Sequence, residues 1–326
     1  WSKSELERWM GNNWSTQSEY EQAEWTAYYN ARDESKGDAK GTTKGKGASG
    51  EAGAESETVP ANRPITIRDL LRHTAGISYD PGEIWQPGDD LETLIDNLAA
   101  VPLSSHPGTE FRYGLSQDVL ARLVEVVSGQ SFDVFIKERI FDPLGMNDTG
   151  FWVPPEHAGR LVAMGEEKSV GKGSGKDSVV ATYLEPPLIL MGGTGLVSTT
   201  MDYMRFCMML LNNGELDGAR ILGRKSVELM HTNHMNDVKN KNSGSKLGGE
   251  FQFGLTFGIK GEPGDTGELG SAGSYFWGGA YGTTFWIDPS ENLVGVFMVN
   301  GLVYEKGRKR PYSMMLEHFT YQAIVD

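Results

Sequence analysis

Between Thr66 and Met235 the apolar residues recur at helical spacing; from Phe251 onward they gather into short runs of aromatic and β-branched residues. The stretch "TIRDLLRHTAG" predicts a helix. Thr66 is a suitable N-cap, Ile67, Leu70 and Leu71 fall on one face, and Gly76 is expected to stop it. "DDLETLIDNLAAVPL" predicts a second helix closed before Pro102, and "LSQDVLARLVEVVSG" a third. In the third, Leu115, Val119, Leu120, Leu123, Val126 and Val127 form an apolar stripe that ends at Gly129. "SFDVFIKERIFDPLGM" predicts a fourth, with Ser131 as cap and Pro143 beyond its end. After a polar region at 165–178, a Gly-rich turn leads into a helix starting near Thr200, and "GRKSVELMHTNHM" predicts another. "FQFGLTFGI", "SYFWGGAYGTTFWIDP" and "NLVGVFMVNG" predict antiparallel strands separated by turns such as "DPSEN". "PYSMMLEHFTYQAIV" closes the chain as a helix with Pro311 in its first turn. Helices in the middle and an antiparallel sheet at the end predict an α+β class.

Residues 1–31 are rich in Trp and Tyr, with a short helical pattern in "SELERWM". Residues 32–58 contain almost no apolar side chain, so they cannot bury enough surface to offset their ordering entropy and are expected to be a disordered insertion. The division expected is a remnant over 1–63 and a domain over 64–326, helical to about 235 and strand-rich from about 250.

Composition narrows the function classes. A net charge of -14 over 326 residues argues against nucleic acid or an anionic membrane surface as partner. The basic clusters "KGKG" and "KGRKR" are read as solvated loops. No apolar run reaches the roughly 18 residues needed to span a bilayer. Cys207, the single cysteine, lies in the apolar run "YMRFCMMLL" and reads as a buried hydrophobe. The chain begins at Trp1, so its natural N-terminus and any targeting signal are expected to lie upstream, and compartment and oligomeric state leave no signal.

Some residue patterns bear on chemistry. Tyr113 places an aromatic hydroxyl where the loop "PGTEFR" runs into the third helix, suited either to proton transfer or to plugging the core. His231 and His234 could share a helix face, but no third ligand lies nearby, so no metal is expected. His73 reads as helping to finish a helix. No G-x-S-x-G elbow is present, and neither "GGTG" nor "WGGAYGT" ends as a phosphate-binding loop does; no cofactor is implied. Gly278, Gly279 and Gly282 interrupt an otherwise bulky strand. They fit a backbone that a ligand approaches closely, as in an oxyanion hole, and equally a bulge or tight corner.

In their order, "ITIRDLLRHTAGI", "PGTEFRYGLSQDVLARLVEVVSGQ", "FDPLGMNDTGF", "GGTGLVSTTMDYMRF" and "WGGAYGTTFWIDP" resemble the serine β-lactamase and penicillin-binding-protein superfamily. The likeness runs to its class C β-lactamase-like branch, most of all to family VIII carboxylesterases, and covers most of residues 60–326. It implies a β-lactamase/DD-peptidase-like fold, an antiparallel sheet flanked by helices with a mostly helical subdomain. It also implies three catalytic elements: a Ser-x-x-Lys pair, a Tyr-x-Asn-like motif and a Lys-Thr-Gly-like strand. The second maps onto Tyr113, Gly114 and Leu115; the third onto Trp277, Gly278 and Gly279, with the Ala280 N–H as oxyanion donor.

The residue types make chemical sense. A serine hydroxyl needs a base, and a tyrosine becomes one when a lysine ammonium stabilises its phenolate. Two departures matter. Leu115 stands where β-lactamases of the family carry a polar residue that helps hold the substrate, and Trp277 stands where they carry a cation suited to a β-lactam carboxylate. Both shift the implied substrate from β-lactams toward a small ester or amide handled by hydrolysis or acyl transfer.

The first element is missing. "SVGK" (Ser169 to Lys172) and "SGSK" (Ser243 to Lys246) match by letter, but both lie in polar Gly- and Lys-rich stretches after the "TIRDLLRHT" helix, where a helical Ser–Lys geometry is disfavoured. Residues 1–64 hold no such pair. The resemblance therefore implies an N-terminally truncated fold whose serine and lysine lie upstream of Trp1. This chain by itself is expected to be inactive, with part of its sheet's apolar surface open to water. The alternative is a non-catalytic binding or scaffold protein that keeps the fold.

Overall fold

The computed structural model describes residues 58–79, 84, 88–162, 183–238, 252–300, 304–305, 308–309 and 312–325. The "SELERWM" pattern, nearly all of the 32–58 segment, "KGKG", the 165–178 region, both Ser-x-x-Lys matches and Pro311 lie outside them.

Capping chemistry sets the helical half. Helix α1 (Ile67–Leu71) opens with a reciprocal capping box: the Thr66 hydroxyl accepts from the Asp69 amide while the Asp69 carboxylate accepts from the Thr66 amide. It ends at Arg72, earlier than the glycine signal at Gly76, because His73 turns into the left-handed region at φ 54°. Helix α2 (Leu91–Ala99) is capped by Asp90, and α3 (Ser116–Ser128) stops at left-handed Gly129. The buried face of α3 carries Ser116, Asp118 and Ala121 as well as Val126, while Val127 is exposed, so the apolar stripe read from the sequence is rotated.

Pro143 does not lie beyond the fourth helix. The chain stays helical through α4 (Phe132–Ile136), a π-turn (Lys137–Phe141) and α5 (Asp142–Leu144), with Pro143 inside the last piece. A proline removes an amide from the ladder and crowds the preceding turn; the widened turn, in which the Asp142 amide reaches the Lys137 carbonyl, absorbs it. A 3₁₀ turn (Pro155–Arg160), α6 (Thr200–Leu211), a short hairpin of β1 (Glu215–Leu216) and β2 (Ala219–Arg220), and α7 (Arg224–Met230) follow. Thr199 caps α6 through the Asp202 amide.

The strand-rich third forms one antiparallel sheet, β3 (Gln252–Phe253), β4 (Gly258–Ile259), β5 (Tyr275–Gly278), β6 (Thr284–Asp288) and β7 (Leu293–Phe297), in sequence order across the sheet. Short α8 (Pro263–Thr266) lies between β4 and β5. The stretch "SYFWGGAYGTTFWIDP", read as one strand, folds into the β5–β6 hairpin, with Trp277 opposite Phe285 and Gly278 opposite Thr284. Gly279 donates to the Thr283 carbonyl and Gly282, at φ 96°, donates to Gly279, so these two glycines make a tight corner. The basic run "KGRKR" is not a plain loop: Arg308–Lys309 (β9) pairs with Tyr304–Glu305 (β8). The last helix, α9 (Tyr312–Gln322), is tied on by ion pairing of Lys260 with Glu317 and by the Tyr321 hydroxyl donating to Asp288 at 2.8 Å.

The described residues hold three apolar clusters. One packs α6 against β6 and β7 through Met209, Leu210, Phe285 and Ile287; a second joins α1, α2 and α3 through Leu70, Leu94, Leu98 and Leu115. The third, Phe111, Met235, Val238 and Phe253 with Trp277 against them, sits where the helical half meets the sheet. Cys207 is buried, and burial pushes its thiol far up from the ordinary range. Among the described residues no helix is long and apolar enough to cross a membrane.

Candidate active site

Tyr113 stands at the head of α3 and Trp277 near the end of β5, and the fold brings them together. The Trp277 indole Nε1–H donates to the Tyr113 hydroxyl at 3.3 Å, with ring centroids 5.4 Å apart. Tyr113 is 40% exposed. Both line a cavity of about 1340 Å³ together with Gly278, Gly279 and Ala280 on one wall and Gly192–Thr199 on another. The Ala280 amide, just past β5, takes no partner among the described residues, and the residue is exposed. No charged side chain belongs to Tyr79, Tyr113 or the run Trp277–Tyr281.

Leu115 is a correction. Expected as a contact for substrate, it is buried in the helical cluster and does not line the cavity. The backbone turn into α3 (φ -77°, ψ 19° at Leu115) starts the helix, and this apolar side chain packs inward.

Two further aromatic residues surround Tyr113: Tyr79, which the sequence did not single out, and His73, read there only as finishing a helix. Tyr79 lies with its ring 5.3 Å from that of Tyr113, and partial burial, then the neighbouring Tyr113, raises its hydroxyl above the ordinary value. His73, only 1% exposed, lies 4.5 Å below Tyr113, ring to ring. Its position follows from its neighbours. Asp69 accepts from Arg63 at 2.6 and 2.9 Å and from the Thr74 hydroxyl at 3.0 Å, and Arg72 reaches the His234 carbonyl and Asp237. Clamped on both sides, the chain crosses the left-handed region at a residue with a Cβ, which costs about 1–3 kcal/mol. His73 Nδ1 has no hydrogen-bond partner among the described residues.

Asp118, buried in α3, accepts from the Gly193 amide at 3.1 Å and so fixes the opposite wall. Burial raises its carboxyl against the opposing pull of the Gly193 and Gly192 amides. His231 and His234 do not share a helix face, because α7 ends at Met230; His231 stacks on Tyr275 at 4.6 Å and His234 Nε2 faces the Leu229 carbonyl. No group of three potential metal ligands occurs among the described residues.

Acid should weaken this region. Burial pushes His73 down from 6.5 to about 4, so it stays neutral in the fold while the unfolded chain's histidine takes up a proton below pH 6.5. The unfolded state then binds more protons, and stability falls as pH drops from 6.5 toward 4, by roughly 3 kcal/mol. Asp69 follows lower down. Burial would raise it, but the Arg63 and Thr66 hydrogen bonds outweigh that and hold it at about 2, so its contribution is lost between pH 3.8 and 2. Denaturant midpoints measured from pH 7 to 4 should fall, and fall less in His73→Gln; equal slopes for the two proteins would show that His73 is not the source.

The sequence profile of the Beta-lactamase family matches residues 54–318. The chain belongs to the beta-lactamase family. It is 34% identical over 267 residues to Protein Rv1367c of Mycobacterium tuberculosis, covering 76% of this chain and 65% of that one. It is 30% identical over 272 residues to a lovastatin esterase of Penicillium rubens, covering 75% and 66%. This family member thus spans just under two thirds of the length of those relatives. Among solved structures, EstCE1, a hydrolase with promiscuous acyltransferase activity, superposes with a TM-score of 0.64 at 23% identity over 81% of this chain and 73% of that one. That likeness bears on the fold, and it agrees with the antiparallel sheet and helical half described above.

Proposed function

We propose that these residues form the base-and-oxyanion half of a serine hydrolase site that cleaves or transfers the acyl group of a small ester through an acyl-enzyme. The observation that carries this reading is the Trp277–Tyr113 pair at 3.3 Å beside the exposed Ala280 amide, which takes no partner among the described residues, on one wall of the cavity. No Ser-x-x-Lys occurs among the described residues. The serine and lysine come from a segment upstream of Trp1, which the greater length of the relatives allows.

Tyr113, as phenolate, takes the proton of the serine hydroxyl while its oxygen attacks the ester carbonyl. The developing oxyanion lies against the Ala280 N–H. When the tetrahedral adduct collapses, the C–O bond to the alcohol breaks and the Tyr113 hydroxyl returns the proton to the leaving alkoxide. Water or a second alcohol then attacks the acyl-serine by the same route, giving acid or a new ester. Trp277 orients the Tyr113 oxygen through its N–H, and having no charge it offers no ion pair to a substrate carboxylate. The esterase name of the Penicillium rubens relative points the same way.

The test is pre-steady-state. The full-length protein mixed with p-nitrophenyl acetate should release a stoichiometric burst of p-nitrophenol and carry an acetyl group on a serine by mass spectrometry. Nitrocefin turnover should be lower by about 100-fold or more in kcat/KM. Binding of the ester with neither burst nor acetylation would overturn the reading and leave a ligand-binding protein.

A further inference from the structure

We propose that His73 is a positioning residue for Tyr113: its buried ring is the floor on which the phenol ring rests, and its backbone carbonyl pins the segment that delivers it. The inference rests on Tyr113 being the base.

Three described rings surround Tyr113, but they are not equivalent. Tyr79, 52% exposed, and Trp277, at the cavity wall, stand on the solvent side and can shift with a ligand. His73 is 1% exposed and has the shortest ring separation, 4.5 Å at an interplanar angle of 48°. Its other contacts run inward, edge-on to Phe111 and Phe253 at 5.9 Å each, so the ring is held between the core and the tyrosine. The main chain is coupled as well. The His73 carbonyl accepts from the Arg112 amide at 2.7 Å, one residue before Tyr113. The same residue thus fixes the ring from below and the backbone from behind.

Two costs are retained at this position. His73 has a left-handed backbone, φ 54°, and a buried Nδ1 with no partner among the described residues. Strain and an unsatisfied buried polar atom persist together where the surroundings over-determine them, and such positions cluster at functional sites. Burial keeps the imidazole neutral, so the floor adds no cation of its own beneath Tyr113.

The experiment uses the full-length protein, with tyrosine ring carbons labelled for NMR and hydrolysis of p-nitrophenyl butyrate as the activity. The Tyr113 signal is the one absent from Tyr113→Phe. In His73→Asn, which tolerates the left-handed backbone, that signal should split or broaden while the amide spectrum is otherwise kept. Its kcat should fall about tenfold or more, with KM within about twofold. His73→Phe, which restores a flat ring, should recover a single Tyr113 signal and most of kcat. An unchanged Tyr113 signal and a kcat within about twofold of wild type in His73→Asn would overturn the proposal. Should His73→Asn not fold, the unaltered protein decides: a nuclear Overhauser effect between the His73 and Tyr113 ring protons supports the floor, and its absence sinks it. Full activity in Tyr113→Phe would instead remove the base assignment, while the Tyr113 signal still reports on the packing.

Discussion

Tyr113→Phe in the full-length protein should lower kcat/KM for a p-nitrophenyl ester by about 10²- to 10⁴-fold, with little change in KM. The variant removes one oxygen. The ring remains among His73, Tyr79 and Trp277, so binding and packing are preserved and the deficit falls on proton transfer. The Trp277 Nε1–H loses its acceptor, but it faces the cavity, where water replaces a partner at small cost. The acetyl-enzyme burst should vanish, because acylation itself needs the base. Trp277→Phe removes the orienting N–H together with part of the ring and should fall between wild type and Tyr113→Phe. A Tyr113→Phe protein with kcat/KM within about threefold of wild type would exclude this tyrosine as base.

Gly114→Ala should be strongly damaging for a single added methyl. Gly114 is buried between Tyr113 and the first turn of α3, and a Cβ there would lie 2.4 Å from the Ile77 carbonyl oxygen and 2.7 Å from the Ser78 carbonyl carbon. Both obstacles are backbone, so no rotamer change relieves the overlap; the Tyr113–Leu115 turn or the Ile77–Ser78 segment must move. Overpacking of this kind costs about 1–3 kcal/mol, or roughly 2–4 °C in Tm for a chain of this size. Because the displaced turn carries Tyr113, the folded fraction should also lose about 10-fold or more in kcat. Gly159→Ala is the control, with ordinary φ and nothing within 4 Å of the added carbon. Thermal melts of both variants decide the matter. Equal Tm values would mean that the close approach at Gly114 is not real.

Much of the fold was legible because its determinants are local. The Thr66–Asp69 capping box, the Asp90 cap, the αL stop at Gly129 and the turn residues after Asp288 are each set by a side chain bonding to backbone a few residues away. Pro143 misled for a related reason: a proline normally ends a helix, and the π-turn that accommodates it depends on how the segment packs against α6 and the apolar core around Phe141 and Leu144. Gly76 misled because the stop had already been made at His73, whose neighbours are clamped by charges from distant segments.

The candidate site divides the same way. The sequence by itself determined most of the element types, the α+β class, the family likeness and the two segments that carry Tyr113 and Trp277, because residue type and spacing are readable without contacts. Only the tertiary structure decided that these two side chains, 164 positions apart, meet in one hydrogen bond. It also decided that Leu115 turns into the core, that His73 lies under the phenol, and that buried Asp118 holds the facing Gly193 loop. The physical reason is that burial and side-chain orientation depend on which surfaces pack together, and at Tyr113 those surfaces come from α1, α3 and β5 at once.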